Sequence, residues 1–144
     1  LSKQHGANSQ YALCASQWHK TLTYKDDFFT DGMTYDADFT KELGYAPPYQ
    51  AAESSAALLV FKDAFERAGS FDQKKVRDAL AATNMQTFYG NIKFAEGGQN
   101  VDKPMVLFQV MCNADGSKCE NKVVAPTKWA SAKLIHPIPS WSER

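Results

Sequence analysis

No stretch of this 144-residue sequence stays apolar for long. The longest unbroken run, Ala56 to Phe61, falls far short of the roughly 20 residues that cross a bilayer. Charge of one sign is missing too. Sixteen Lys and Arg balance sixteen Asp and Glu, and no segment concentrates the basic ones. The electrostatic footprint of a nucleic-acid binder is therefore absent, and no nucleic-acid partner is expected. Histidine is scarce: His5, His19 and His136 stand in a tail, a loop and another tail, each without a Cys or carboxylate at ligand spacing. They are surface residues, and no metal or cofactor is expected. No Gly-x-Ser-x-Gly elbow, Walker loop or His-Glu-x-x-His occurs. Gly97-Gly98 neither follows a buried strand nor opens a helix, so it is a turn and not a phosphate cradle. Asp26, Asp27 and Asp31 lack the spacing of a calcium loop, which leaves a solvated acidic loop. Nothing here points to an enzyme. There is also no initiator methionine and no signal-type cleavage pattern, so the start looks internal, a piece of something longer.

What is present suffices for one ordinary folded unit, with 44% hydrophobic and 22% charged residues. Of three cysteines, Cys112 and Cys119 flank Asn-Ala-Asp-Gly-Ser-Lys, which places Asp-Gly at the centre of a tight hairpin and sets the two thiols across from each other. A two-residue loop makes them a hydrogen-bonded pair; a four-residue loop makes them the closer, non-hydrogen-bonded kind that suits a disulfide. Two free thiols facing each other is the other reading. A disulfide would place the chain in an oxidising compartment. Cys14, within the apolar Tyr11 to Ser16, is expected to be a buried free thiol on a short buried strand.

The organising stretch runs from Ala46 to Gly69. Pro47 and Pro48 are tolerated only at or before a first helical turn, and Gly69 suits a left-handed cap. Between them a helix of about five turns is predicted. From Ala56 to Phe61 it is apolar on every side, which predicts cover on more than one face. Before it, Tyr35, Phe39 and Leu43 are spaced by four and predict a helix over 33–43, reached through a loop that runs to Thr30. After it, Ser70-Phe71-Asp72-Gln73 has the form of a capping box and opens a helix through Val76 and Leu80. Thr87 to Phe94 is expected to be one extended segment, with Gly90 marking a bend or a close backbone contact. A strand from Pro104 to Cys112 and its return through Ala125 complete the hairpin. Residues 1–10 are expected to be a frayed end, and those beyond Pro126 a tail over a surface. Helices precede antiparallel strands, and the change falls at Gly90.

For binding chemistry, the start of the long helix offers Tyr49, Glu53 and Ser54, and Trp18 lies beside His19. Aromatic walls with a few placed polar groups are what ligand pockets use. Packing of Trp18 and Tyr49 over the core rim is the alternative.

Several motifs occur in an order that carries a family likeness: Trp18-His19, then Tyr45-Ala46-Pro47-Pro48-Tyr49-Gln50-Ala51-Ala52-Glu53-Ser54-Ser55-Ala56-Ala57, Arg67-Ala68-Gly69-Ser70 and Val76-Arg77-Asp78-Ala79-Leu80. Thr87 to Phe94, Gly98-Gln99-Asn100, Gln109 and Val124-Ala125-Pro126 follow. Together they resemble the C-terminal part of ABC-transporter solute-binding proteins of the leucine/isoleucine/valine-binding type, the type I periplasmic binding proteins. The resemblance implies an α/β chain that is part of a two-lobe fold: a helical α/β segment of one lobe, a crossover, and a β-hairpin of the other. Residues 1–87 would be the end of the first lobe preceded by the second crossover, 88–100 the third crossover, and 101–144 the hairpin and tail of the second lobe. It implies a periplasmic or extracellular protein binding a small amino-acid-like, amide or aromatic carboxylate ligand. An ABC permease would be the partner of the full-length protein, and the ligand-sensing domain of a receptor is the alternative. Trp18, Tyr49, Glu53 and Ser54 are the candidate contacts; the family often has Tyr where Ser55 stands. Family members are two to three times longer, so a chain of this length would carry uncovered faces that invite self-association.

Overall fold

In a computed structural model, residues 5–103 and 105–143 are described. The elements are β1 (Leu13–Ser16), β2 (Lys25–Asp26), β3 (Thr30–Asp31), α1 (Gly32–Leu43), α2 (Tyr49–Ala68), α3 (Gln73–Ala81), β4 (Asn84–Thr87), β5 (Gly90–Lys93), β6 (Val106–Cys112) and β7 (Cys119–Ala125). They divide into two compact units, residues 17–103 and residues 5–16 with 105–143.

The larger unit is built on an aromatic cluster. Phe88 is wholly buried, stacked on Tyr35 at 4.3 Å and met edge-on by Phe29 at 4.9 Å and Trp18 at 6.2 Å. Asp26 fastens this cluster from its edge. Its carboxylate accepts the backbone N–H groups of Phe28 (2.9 Å), Phe29 (2.6 Å) and Phe88 (2.6 Å), so the expected solvated acidic loop is in fact a structural clamp at this position. Asp31 is committed as well, capping α1 through Thr34 N–H. The α3 cap differs from expectation by two residues. Asp72 accepts from Lys75 N–H, while Ser70 takes the N–H of Asp72.

α2 starts after Pro48 and ends at left-handed Gly69 (φ 54°), as the punctuation requires. Its buried stripe is Ala52, Ala56, Val60 and Ala64, at a spacing of four. The opposite ridge is bare: Leu58 is 70% exposed, with Phe61 and Phe65 also exposed. Cover on more than one face is therefore not found among the described residues. The apolar content of α2 exceeds the surface that this unit can place against it.

Residues 84–93 form a two-residue hairpin, β4 against β5, in place of the single extended segment expected. The sequence hides this turn because its two central residues, Phe88 and Tyr89, are large and buried instead of being Gly, Asn or Asp. Side chains supply the turn chemistry, with Thr87 Oγ1 donating to Gly90 O at 3.0 Å and Asp26 holding Phe88 N–H.

The smaller unit is a three-stranded antiparallel sheet, order β1-β6-β7. Val106, Val110 and Val123 form its core with Trp129, which the Thr127–Trp129 turn folds back onto the sheet. β1 is an edge strand with three of its four residues exposed, and Cys14 is an exposed free thiol. Both correct the expected buried strand and buried thiol: apolar composition does not distinguish an edge strand from a central one. The expected frayed start holds a 3-10 turn, Gly6–Ser9, with Ser9 buried. Residues 1–4, the strand start at Pro104 and the last residue of the tail lie outside the described residues.

Cys112 and Cys119 pair across β6 and β7 and form a disulfide, their Cα atoms 3.9 Å apart. The loop is the four-residue kind. Asn113 N–H donates to Lys118 O, and the Asn113 side-chain carbonyl accepts the return bond from Lys118 N–H, both at 2.9 Å. The cysteines thus occupy the non-hydrogen-bonded position one step out.

Candidate ligand site at the start of the long helix

The structure separates the four sequence candidates. Trp18 is 5% exposed and lies edge-on to Tyr35 and Phe88, within the core. Tyr49 and Glu53 occupy one face of the first turns of α2, four residues apart, and both are exposed. Ser54 is exposed but lies about 100° further round the helix. Its neighbour Ser55 faces α1, where its hydroxyl meets the Tyr35 hydroxyl at 3.0 Å.

Two residues that sequence reasoning had not singled out bear on Glu53: Tyr89, which feels Tyr49 as well, and Lys103, which has Tyr24 beside it. Lys103 reaches the β4–β5 turn because the chain doubles back after β5. Asn100 holds that return. Its side-chain oxygen accepts from Lys93 N–H (3.1 Å) and Asp102 N–H (3.2 Å), and its amide donates to Asn91 O (3.1 Å). The Lys103 ammonium donates to Tyr89 O at 2.7 Å and lies 3.9 Å over the Tyr89 ring, with the Tyr24 ring at 6.0 Å. Gly90 makes this approach feasible: a Cβ there would meet Lys103 Nζ at 2.9 Å. The close backbone contact expected at Gly90 is real, and its partner is a side chain distant in sequence.

The electrostatics follow from burial. Desolvation pulls the Lys103 ammonium down to about 8, against a smaller upward pull from the Glu53 carboxylate. Burial pushes the Tyr89 phenol well above its ordinary value, and Glu53 and then Tyr49 push the same way. Burial, then Asp102, raises Tyr24. Because the Lys103 pKa is lower folded than unfolded, its contribution to stability is fully present above about 10.5 and is lost as pH falls through about 8. The full shift corresponds to about 3 kcal/mol, and contact of this half-buried group with water trims it to about 2 kcal/mol. Stability should therefore rise between pH 8 and 10, before the raised Tyr89 reverses the trend. Urea titrations at half-unit pH steps check this. A curve for Lys103→Met parallel to that of the parent chain would show that the amine is not the cause.

Beside this site, a groove of about 560 Å³ runs between α2, α3 and β5, lined by Ala56, Val60, Ile92 and Phe94 and reaching Glu53 and Tyr89. Among the described residues no group of three or more His, Cys, Asp or Glu could hold a metal ion, and no helix is long and apolar enough to cross a membrane.

This part of the larger unit presents aromatic faces, the Glu53 carboxylate and the Lys103 ammonium. Residues 1–117 match the model of a periplasmic binding protein family, and the chain belongs to that family. Its fold is that of type I periplasmic binding protein lobes. It is similar to a leucine-binding protein from Thermotoga maritima, at 24% identity and a TM-score of 0.62, over 83% of this chain and 32% of that one. A periplasmic binding protein from Burkholderia mallei is similar at 18% identity and a TM-score of 0.70, over 92% and 37%. A leucine-, isoleucine-, valine-, threonine- and alanine-binding protein from Brucella ovis, in its closed conformation, is similar at 15% identity and a TM-score of 0.68, over 96% and 37%. At these identities the likeness is one of fold, and the chain spans about a third of the length of each solved structure.

Proposed function

We propose that this chain is the C-terminal portion of a two-lobe solute-binding protein. It serves capture of a small amino-acid-like, amide or aromatic carboxylate ligand in the periplasm or outside the cell, for import by an ABC permease. Residues 1–87 carry the second crossover and then close the first lobe, 88–100 serve as the third crossover, and 101–144 belong to the second lobe. The observation that carries the reading is the match of residues 1–117 to the periplasmic binding protein family, together with the groove along α2 that Glu53 and Tyr89 reach. Ser54 supplies a further polar contact, and Trp18 supports the wall from the core side. The bare ridge of α2 is where the rest of a longer parent chain, or a second copy, would pack.

Thermal unfolding against leucine, valine, phenylalanine, benzoate and acetamide tests this. A ligand present at 100 times its Kd adds about 2.7 kcal/mol, which raises Tm by roughly 5–10 °C for a chain of this size. Glu53→Gln and Tyr49→Ala should each reduce the shift. No shift with any of the five compounds would sink the proposal.

A further inference from the structure

The turn between β6 and β7 supports a third piece of chain, the segment that leads into β1. Both cysteines of the disulfide touch it. The Gln10 side-chain oxygen accepts from Cys112 N–H at 2.5 Å, and the Gly6 carbonyl oxygen lies 3.6 Å from Cys119 Sγ. At the tip of the turn, Gly116 approaches so closely that a Cβ there would meet the Ala7 Cβ at 2.7 Å. Further along, Tyr11 N–H donates to Val110 O at 2.8 Å, and Gln109 Nε2 donates to Tyr11 O at 3.0 Å. The contact between these points is not packed solid. A cavity of about 440 Å³ remains there, lined by Ala7, Gln10, Tyr11 and the turn. Tyr11 itself is held at φ 65°, a left-handed conformation that costs a bulky residue free energy and persists only where its surroundings impose it. The segment is therefore anchored at the disulfide and strained next to its anchor.

We infer that the Cys112–Cys119 disulfide is a redox latch for residues 6–12: closed, it holds the segment on the hairpin, and reduced, it lets the segment go. The two cysteines sit opposite each other at a non-hydrogen-bonded position, so the sulfur bridge is the direct tie between them. Without it, Cys112 N–H and Cys119 Sγ are no longer a fixed pair for Gln10 and Gly6, and Tyr11 is free to leave its left-handed conformation. The turn itself has other support. Asn113 and Lys118 exchange two hydrogen bonds, and the Asp115 carboxylate accepts Ser117 N–H at 2.9 Å, so the hairpin outlasts the bridge. Both cysteines are half-buried beside exposed turn residues, which leaves the bridge open to a small dithiol. One thiolate of that reductant attacks a bridge sulfur and forms a mixed disulfide; its second thiol then displaces the protein sulfur. The bridge takes up two electrons and two protons, and the reductant leaves as a disulfide.

The test is amide hydrogen exchange, resolved by NMR, on the oxidised chain, after reduction with dithiothreitol, and after reoxidation with oxidised glutathione. Reduction should speed exchange at Tyr11 and Ala12, whose N–H groups are bonded to Val110 O and Ser9 O, by about tenfold or more. Ser131, bonded to Val123 O in the same unit, should change by less than about twofold, and reoxidation should restore the slow rates. The double variant Cys112→Ser/Cys119→Ser should exchange like the reduced chain in either buffer, and Cys14→Ser should respond as the parent chain does. Gln10→Ala keeps the bridge but removes its hold, so Tyr11 and Ala12 should exchange fast without reductant. Unchanged rates at Tyr11 and Ala12 on reduction would overturn the inference. So would an equal rise at Ser131, which marks loosening of the whole unit, or a response that is lost in Cys14→Ser.

Discussion

Phe88→Ala should destabilise the larger unit by about 4 kcal/mol and lower its Tm by roughly 10–15 °C. The ring is fully buried and contacts Tyr35, Phe29 and Trp18, so its removal leaves a cavity and three aromatic faces without a partner. Relaxation is limited, because the backbone at Phe88 is held by Asp26 and Thr87 is held to Gly90. Phe28→Ala is the matched control. That ring touches Phe29 at 4.8 Å but is 70% exposed, and its loss should cost less than about 1 kcal/mol. Chemical denaturation of both variants checks the pair. Equal losses, or a loss below about 1 kcal/mol for Phe88→Ala, would mean that the aromatic cluster is not the centre of this unit.

Gln109→Leu should cost the smaller unit about 3 kcal/mol despite a near-isosteric replacement. Gln109 is fully buried on the central strand, and its amide is completely committed. Nε2 donates to Tyr11 O (3.0 Å) and Ile135 O (3.1 Å), and Oε1 accepts from Ile135 N–H (2.9 Å). The substitution strands one donor and leaves two carbonyls a partner short, at about 1–3 kcal/mol for each group left unsatisfied. It also frees the segment after Trp129, so amide exchange at Ile135 should accelerate more than at Val110. Gln86→Leu, which removes an exposed bond from Gln86 Nε2 to Lys25 O at 3.0 Å, should be near neutral. A stable Gln109→Leu with Ile135 still protected would show that the strand ladder alone holds the tail.

The same residues show how much was legible in advance. Gln109 stood among the motifs of the family likeness, but its neighbours in sequence say nothing of Tyr11 or Ile135, which are separated from it by 98 and 26 positions. Trp18 was legible as an important aromatic, but whether it faced a ligand or the core depended on Phe88, seventy residues away. Lys103 left no local signal at all. A lysine after Asp102 reads as solvated surface, and only the return past Asn100, with the space left at Gly90, turns it into a half-buried ammonium.

The sequence by itself determined whatever is written in short-range chemistry. Proline before the long helix and glycine after it set the limits of α2, the periodicity before it located α1, and Asp-Gly between two cysteines specified the hairpin and allowed its disulfide. These depend on backbone torsions and on contacts within a few residues. Tertiary structure alone decided which apolar surface is covered, which polar side chains clamp distant backbone, and which charge is drawn out of water. The physical reason is that desolvation and pairing depend on neighbours in space. The β4–β5 turn, the exposed Cys14 and the ammonium of Lys103 each take their character from residues far away in the chain.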